Sequence, residues 1–145
     1  MPDQKKIKPY VDSSYIYSDT VIVTASSNNR IIFPVDLSFD FIATAFSYKS
    51  QVTNAGTRAT FNIMIKNNDR QVFQNPVPNE LFAGIMFETA APLTTTIGLG
   101  LWHRFEKPFV FKAKSDIVCI FYNTVAFANT IVFSLQGYKR EKRLM

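Results

Sequence analysis

A single histidine, His103, rules out a catalytic histidine pair or a histidine-rich metal site, and a single cysteine, Cys119, rules out an intramolecular disulfide. Cys119 sits in the apolar run Ile117 to Phe121, where a small buried hydrophobe is the expected reading and a reactive thiol would lack the electropositive niche it needs. The five glycines are scattered, and Gly98-Leu99-Gly100 is not followed by the further glycine of a dinucleotide site. No Gly-Lys-Ser or Gly-Lys-Thr is present to hold a triphosphate, and no serine has the flanking glycines of a nucleophile elbow. Carboxylates do not cluster either. Asp36 and Asp40, on one extended strand, would stand roughly 13 Å apart, too far to share a metal or a proton. No run of eighteen apolar residues suggests a membrane span, and no apolar segment follows the basic residues at the N-terminus as in a secretory signal. These absences make catalysis, metals and cofactors unexpected.

Basic charge is present but unevenly placed. Lys5, Lys6 and Lys8 against Asp3 and Asp12 leave residues 1–12 at +1, and Lys139, Arg140, Lys142 and Arg143 against Glu141 leave residues 139–145 at +3. The body from 13 to 138 carries nine basic and eight acidic side chains, so no basic groove for nucleic acid is expected there.

What the chain has instead is β-forming material. Fourteen Phe and six Tyr among 145 residues, with frequent Val, Ile and Thr, suit a pleated and partly buried surface. Residues 1–18 mix Lys, Pro, Asp, Ser and Tyr without sustained period and are expected to form an extended arm. Strand signals then run from Thr20 to Thr24 and from Arg30 to Pro34. In the next strand Leu37, Phe39, Phe41, Ala43 and Ala45 are expected on one face, against Ser38, Asp40, Ile42, Thr44 and Phe46. Asn67-Asn68-Asp69-Arg70 predicts a hairpin turn after Phe61, Ile63 and Ile65, and Pro76 and Pro78 mark an edge or a crossing. A strand is favoured over two helical turns for Leu81 to Phe87, and Thr94 to Ile97 reads as extended. Phe109 to Phe111, Ile117 to Tyr122 and Thr130 to Tyr138 complete the set, with Gly137 marking a bend or a close approach. About eight short strands without βαβ periodicity predict an all-β, antiparallel β-sandwich of jelly-roll or related Greek-key topology. The domain is expected over 19–138, between the arm of 1–18 and a basic tail of 139–145.

The strand from Ile117 to Tyr122 is apolar on both faces, as is the segment around Val132, and Val125-Ala126-Phe127 puts apolar groups in a loop. Either longer segments of the same chain cover these faces or another subunit does. The expected contact residues are Tyr10, Tyr15, Tyr17 and Phe127, with Lys139, Arg140, Lys142 and Arg143 supplying electrostatic orientation. Trp102, Tyr122 and Tyr138 are the aromatics available for a glycan-stacking platform.

From Leu101 to Arg140 the chain resembles small structural proteins of tailed bacteriophage virions. The matching features are Arg104 before Lys107-Pro108-Phe109-Val110-Phe111, a turn with Asp116, a strand closing on Tyr122-Asn123, and a last strand ending Leu135-Gln136-Gly137-Tyr138-Lys139-Arg140. The resemblance implies an auxiliary virion protein made in the host cytoplasm: a capsid decoration or cement protein, or a neck or tail adaptor. Its implied partners are the major capsid protein or other virion subunits, with further copies of itself in the assembly. A carbohydrate- or receptor-binding module is the alternative from a different class.

Overall fold

The computed structural model describes residues 9–53, 59–68, 70–73, 75–79 and 102–142, together with the strand backbone of 86–90 and 93–97. Eleven strands are present among them: β1 Tyr10–Val23, β2 Asn28–Pro34, β3 Asp40–Val52, β4 Phe61–Asn67, β5 Arg70–Gln71, β6 Val77–Pro78, β7 Met86–Ala90, β8 Leu93–Ile97, β9 His103–Phe111, β10 Asp116–Asn123 and β11 Asn129–Lys142. They form two antiparallel sheets arranged as a sandwich. One sheet runs β1-β11-β3-β8-β7, with β9 also on β3; the other runs β2-β10-β4-β5, with β6 also on β4.

Alternation writes this arrangement into the central strands. Ile117, Cys119 and Phe121 of β10 point inward and are fully buried, as are Ile63 and Ile65 of β4 and Ile131, Phe133 and Leu135 of β11. The sheets meet through aromatic rings: Phe121 lies 5.4 Å from Phe133, Tyr48 lies 5.3 Å from Phe61, and Tyr17 lies 5.3 Å from Phe33, measured between centroids. Each buried Phe or Ile removes enough apolar surface from water to stabilise the fold by about 1.5–3 kcal/mol. The second apolar set of β10, Val118, Ile120 and Tyr122, faces outward and is half-buried. Val118 there pairs with Ile32, which is 44% exposed, so part of this apolar surface meets solvent.

The largest departure from the sequence-based expectation is at the N-terminus. Residues 10–18, expected in an arm outside the sandwich, belong to β1, a 14-residue strand paired with β11 from Tyr10↔Lys142 to Val23↔Asn129. Residues 139–142, expected in the basic tail, are the end of β11. β1 is a sheet edge whose first half is largely exposed on both faces, so no buried face imposes a hydrophobic alternation on its sequence. Residues 1–8 and 143–145 lie outside the described residues, as do 81–85 of the strand expected from Leu81 to Phe87; its last two positions begin β7.

A second correction concerns β3. Gly137 of β11 faces Ala43 and Gln136 faces Ala45, which leaves Thr44 as an extra residue in a β-bulge. The bulge reverses the alternation: Phe41 and Ala43 face inward before it, and Phe46, Tyr48 and Val52 after it. Phe46 therefore joins the core rather than the face assigned from simple alternation. Thr44 Oγ1 donates to the Gln136 carbonyl at 3.2 Å, tying down the bulge. Before β3, Asp36 accepts from the Ser38 backbone N–H and hydroxyl, both at 2.9 Å, and forms a turn, so Asp36 and Asp40 do not share a strand.

At the opposite end of β11, buried Asn123 holds together the loops that join the two sheets. Its Nδ2 donates toward the carbonyls of Val23, Thr24 and Phe127 at 2.8–3.1 Å, and its Oδ1 accepts from Val125 N–H at 3.1 Å. Asn67 plays a similar part, donating to Ser115 Oγ at 2.8 Å and to the Asp116 carbonyl at 3.1 Å. The hairpin expected at Asn67 to Arg70 is the β4–β5 connection, with Asn68 at φ 53°.

Two substitutions test these constraints by urea denaturation. A Cβ on Gly137 would lie 1.9 Å from the Ile42 carbonyl oxygen, a backbone atom that cannot move aside without breaking the ladder. Gly137→Ala should therefore cost about 2 kcal/mol or more, and an unchanged midpoint would contradict the close approach. Asn123→Ala leaves several buried carbonyls short of a donor and should cost about 1–3 kcal/mol.

Candidate protein-contact surface

Antiparallel pairing of the first and last strands brings together residues more than a hundred positions apart in sequence. Tyr10 faces Lys142, Asp12 faces Arg140, Ser13 faces Lys139 and Tyr15 faces Gly137. Five of the expected contact residues, Tyr10, Tyr15, Lys139, Arg140 and Lys142, therefore lie in the half of the ladder that ends at Tyr10↔Lys142, and a sixth, Tyr17, paired with Leu135, stands at its middle. Phe127 does not join them. It is exposed in the loop before β11, at the other end of a strand about 45 Å long. Arg143 lies outside the described residues.

Alternation divides the six between two faces. On the outer face Arg140 grips Asp12 through two hydrogen bonds, Nε to Oδ1 at 2.9 Å and Nη2 to Oδ2 at 3.0 Å. Its guanidinium also stands 5.6 Å from the Tyr10 ring and 5.4 Å from the Tyr138 ring. The carboxylate holds the Arg140 proton more firmly than usual, so this cation stays charged at any ordinary pH. On the inner face the Lys139 ammonium lies 5.9 Å from the Tyr15 ring and 5.6 Å from the Phe39 ring, and 3.4 Å from Glu141.

Tyr15 and Tyr17 continue the core outward. Tyr17 meets Phe41 edge-on at 4.8 Å and Tyr15 at 4.9 Å, and Tyr15 reaches Phe39 at 5.8 Å. Tyr17 is thus partly buried against the core of its own sandwich, whereas Tyr10 and Tyr15 are 43% and 38% exposed. Burial, together with the nearby Tyr15 and Asp36, pushes the Tyr17 hydroxyl up to about 12.

An open groove of about 770 Å³ lies beside these residues, between the end of the β1–β11 ladder, the turn before β3 and the turn after β9. Tyr10, Leu37, Phe39, Asp40, Lys112 and Lys142 are among its lining residues. Leu37 is 72% exposed, the most exposed large apolar side chain among the described residues. Leu37, Asp40 and Lys112 carry no signal of this site in the sequence, because only the register of the sheets brings them to it. Lys112 lies 3.7 Å from Asp40, and the pairs Arg140–Asp12 and Lys139–Glu141 offset much of the positive charge that the C-terminal sequence concentrates here. The surface offers aromatic and aliphatic contact area with paired charges around it, the make-up of a protein-contact region.

The other candidates separate in space. Tyr122 faces outward from the β2-β10-β4 sheet and Tyr138 outward from the β1-β11-β3 sheet, so with Trp102 they do not form one stacking platform. His103 stacks among Phe46 and Tyr48 at 5.4 and 6.3 Å, and Cys119 is fully buried, with its thiol pushed far above its usual value by desolvation. Among the described residues, no three His, Cys, Asp or Glu side chains gather as metal ligands.

No protein-family model matches the chain, and no curated protein matches it. Among solved structures it is similar to the crystal structure of dimeric latent PorU from Porphyromonas gingivalis, with 11% identity and a TM-score of 0.49. The match covers 98% of this chain and 14% of that one, so the chain spans a small part of that protein's length. At that level nothing of the larger protein's activity transfers.

The Tyr17 environment predicts a pH response. A hydroxyl titrating near 12 in the folded chain and near 10 when unfolded stabilises the fold below pH 10, and this contribution is lost as pH rises from 10 to 12. Tyr17→Phe should flatten that alkaline decline in stability, read from denaturation midpoints across the window; an identical decline in both proteins would contradict the assignment.

Proposed function

We propose that this chain is an auxiliary structural subunit of a virion, a decoration or cement protein that stabilises an assembled shell through protein–protein contacts. A neck or tail adaptor is the alternative position in the same kind of particle. The observation that carries the reading is the aromatic and aliphatic surface left exposed where the chain's two ends meet: Tyr10, Tyr15 and Leu37, with Lys139, Arg140 and Lys142 around them. Solvent-facing sheet residues are ordinarily polar, and exposed aromatics beside cations are what a protein partner covers. The resemblance of Leu101 to Arg140 to phage structural proteins supports the choice of partner class.

The finer topology supports the same reading. We infer a jelly roll, an architecture common in capsid proteins. β1 pairs β11, β2 pairs β10, β3 pairs β8 and β9, and β4 pairs β5, a nested series in which early strands meet late ones. Rolling such a nested hairpin yields two four-stranded sheets with the strand orders 1-11-3-8 and 2-10-4-5. A cement protein needs no catalysis; it binds the assembled shell more strongly than the free subunits and shifts the assembly equilibrium by that difference. Many equivalent copies add avidity to each contact.

Gradient-purified particles are the test. The chain should be found in them, and lysine-directed crosslinking should join Lys139 or Lys142 to a shell subunit. Lys139→Gln with Lys142→Glu should lower its occupancy on particles with little change in its melting temperature, since neutral Gln opposes no charge to Glu141. Absence from the particles, or full occupancy of the double variant, would overturn the proposed contact.

A further inference from the structure

β1 differs from the other strands that lie at edges. β2 has seven residues, includes Arg30 and ends at Pro34; β5 and β6 have two each, and β6 contains Pro78; β7 has five. Short length, proline and charged side chains, lysine above all, are the usual protection of a sheet edge against further pairing; the charges of β1 are two, Asp12, held by Arg140, and Asp19. β1 has 14 residues without proline, glycine, lysine or arginine, and among the described residues no strand pairs its other edge. Along it Tyr10, Val11, Tyr15, Ile16 and Ile22 are 38–58% exposed.

The order of residues in β1 says what would fit there. Around Ile16 the chemical classes mirror one another: Tyr15 with Tyr17, Ser14 with Ser18, Ser13 with Asp19, Asp12 with Thr20, Val11 with Val21, and Tyr10 with Ile22. We propose that two copies of this chain pair antiparallel through β1 about a two-fold axis at Ile16, joining their β1-β11-β3 sheets into one continuous sheet.

In this register every apolar side chain meets an apolar one and every polar side chain a polar one, with no two carboxylates opposed. A shift of two residues destroys the match. Centring on Tyr15 sets Val11 against Asp19 and Ser14 against Ile16; centring on Tyr17 sets Asp12 against Ile22 and Tyr15 against Asp19. A shift of one residue is excluded by geometry, since it opposes inward and outward faces and misaligns the outward-pointing N–H and C=O groups. The two-fold interface is isologous, so one patch serves both subunits, and the free backbone groups between Asp12 and Ser18 of each edge satisfy those of the other, whereas Thr20 N–H and the Ile22 carbonyl already meet the side chains of Asp19 and Asn29. The dimer draws on Tyr10 and Tyr15, which the virion reading also uses, and leaves Leu37 and the cations of β11 for a shell contact; the tests of the two are separate.

Disulfide trapping tests the register. Ile16→Cys should crosslink to itself under mild oxidation, because facing Cα atoms in an antiparallel pair stand about 4.5–5.5 Å apart, within disulfide reach. Ser14→Cys and Ser18→Cys should crosslink when mixed and far less when separate. Cys119 is fully buried and does not interfere. In sedimentation velocity the wild-type chain should run as a dimer, and Ile16→Lys, a change at an exposed position, should weaken association by about tenfold or more through like charges facing each other across the axis. Crosslinking at position 16 no faster than at a Leu37→Cys control, or a wild type that stays monomeric at its solubility limit, overturns the proposal. A chain that occupies purified particles yet fails these tests refutes the dimer alone.

Discussion

The pairing of β1 with β11 is the constraint on which the rest of this structure depends. It joins the two ends of the chain over 14 residues, and it makes β1 the edge of one sheet while β11 carries the inward row of Ile131, Phe133 and Leu135. Without it Tyr10, Tyr15, Lys139 and Arg140 would be loose residues at opposite ends of the sequence. With it they are fixed in the same half of one rigid ladder, Tyr10 and Arg140 on its outer face and Tyr15 and Lys139 on its inner face. The Arg140–Asp12 pair and the Lys139–Tyr15 contact are cross-strand or diagonal interactions that exist only in this register.

A tension runs through the same ladder. An edge strand with little buried side-chain surface is stabilised mainly through its hydrogen bonds to β11, its last two inward residues, Val21 and Val23, and the contacts of Tyr17 with Phe33 and Phe41. Its first half leaves apolar groups in water. In a chain this rich in phenylalanine such exposure is not needed to complete the core, since Phe41, Phe61, Phe111, Phe121 and Phe133 already fill it. Tyr10, Val11 and Ile16 add little to the core, and under the readings proposed above they are residues that a shell protein or a second copy of the chain would cover.

Strands buried on one or both faces were legible in the sequence, because Ile63, Ile65, Ile117, Phe121, Ile131 and Phe133 recur with period two. Gly137 was legible as a bend or a close approach, and the structure shows the close approach, to the Ile42 carbonyl. The first half of β1 was not legible, since the alternation that announces a strand is written by a buried face and this segment has none. The bulge at Thr44 was hidden too: one extra residue reverses the faces of β3 without altering its composition. The candidate surface was half-visible. Its tyrosines and cations stood out as residues in search of a role, while Leu37, Phe39, Asp40 and Lys112 reach it only through the folding of two distant turns.

Residue-resolved amide hydrogen exchange addresses the β1–β11 ladder most directly. Those amides of residues 10–18 that point toward β11 should exchange slowly, within an order of magnitude of their partners between Leu135 and Lys142. Exchange throughout 10–18 at the rate of a frayed chain end, while β10 remains protected, would contradict the account.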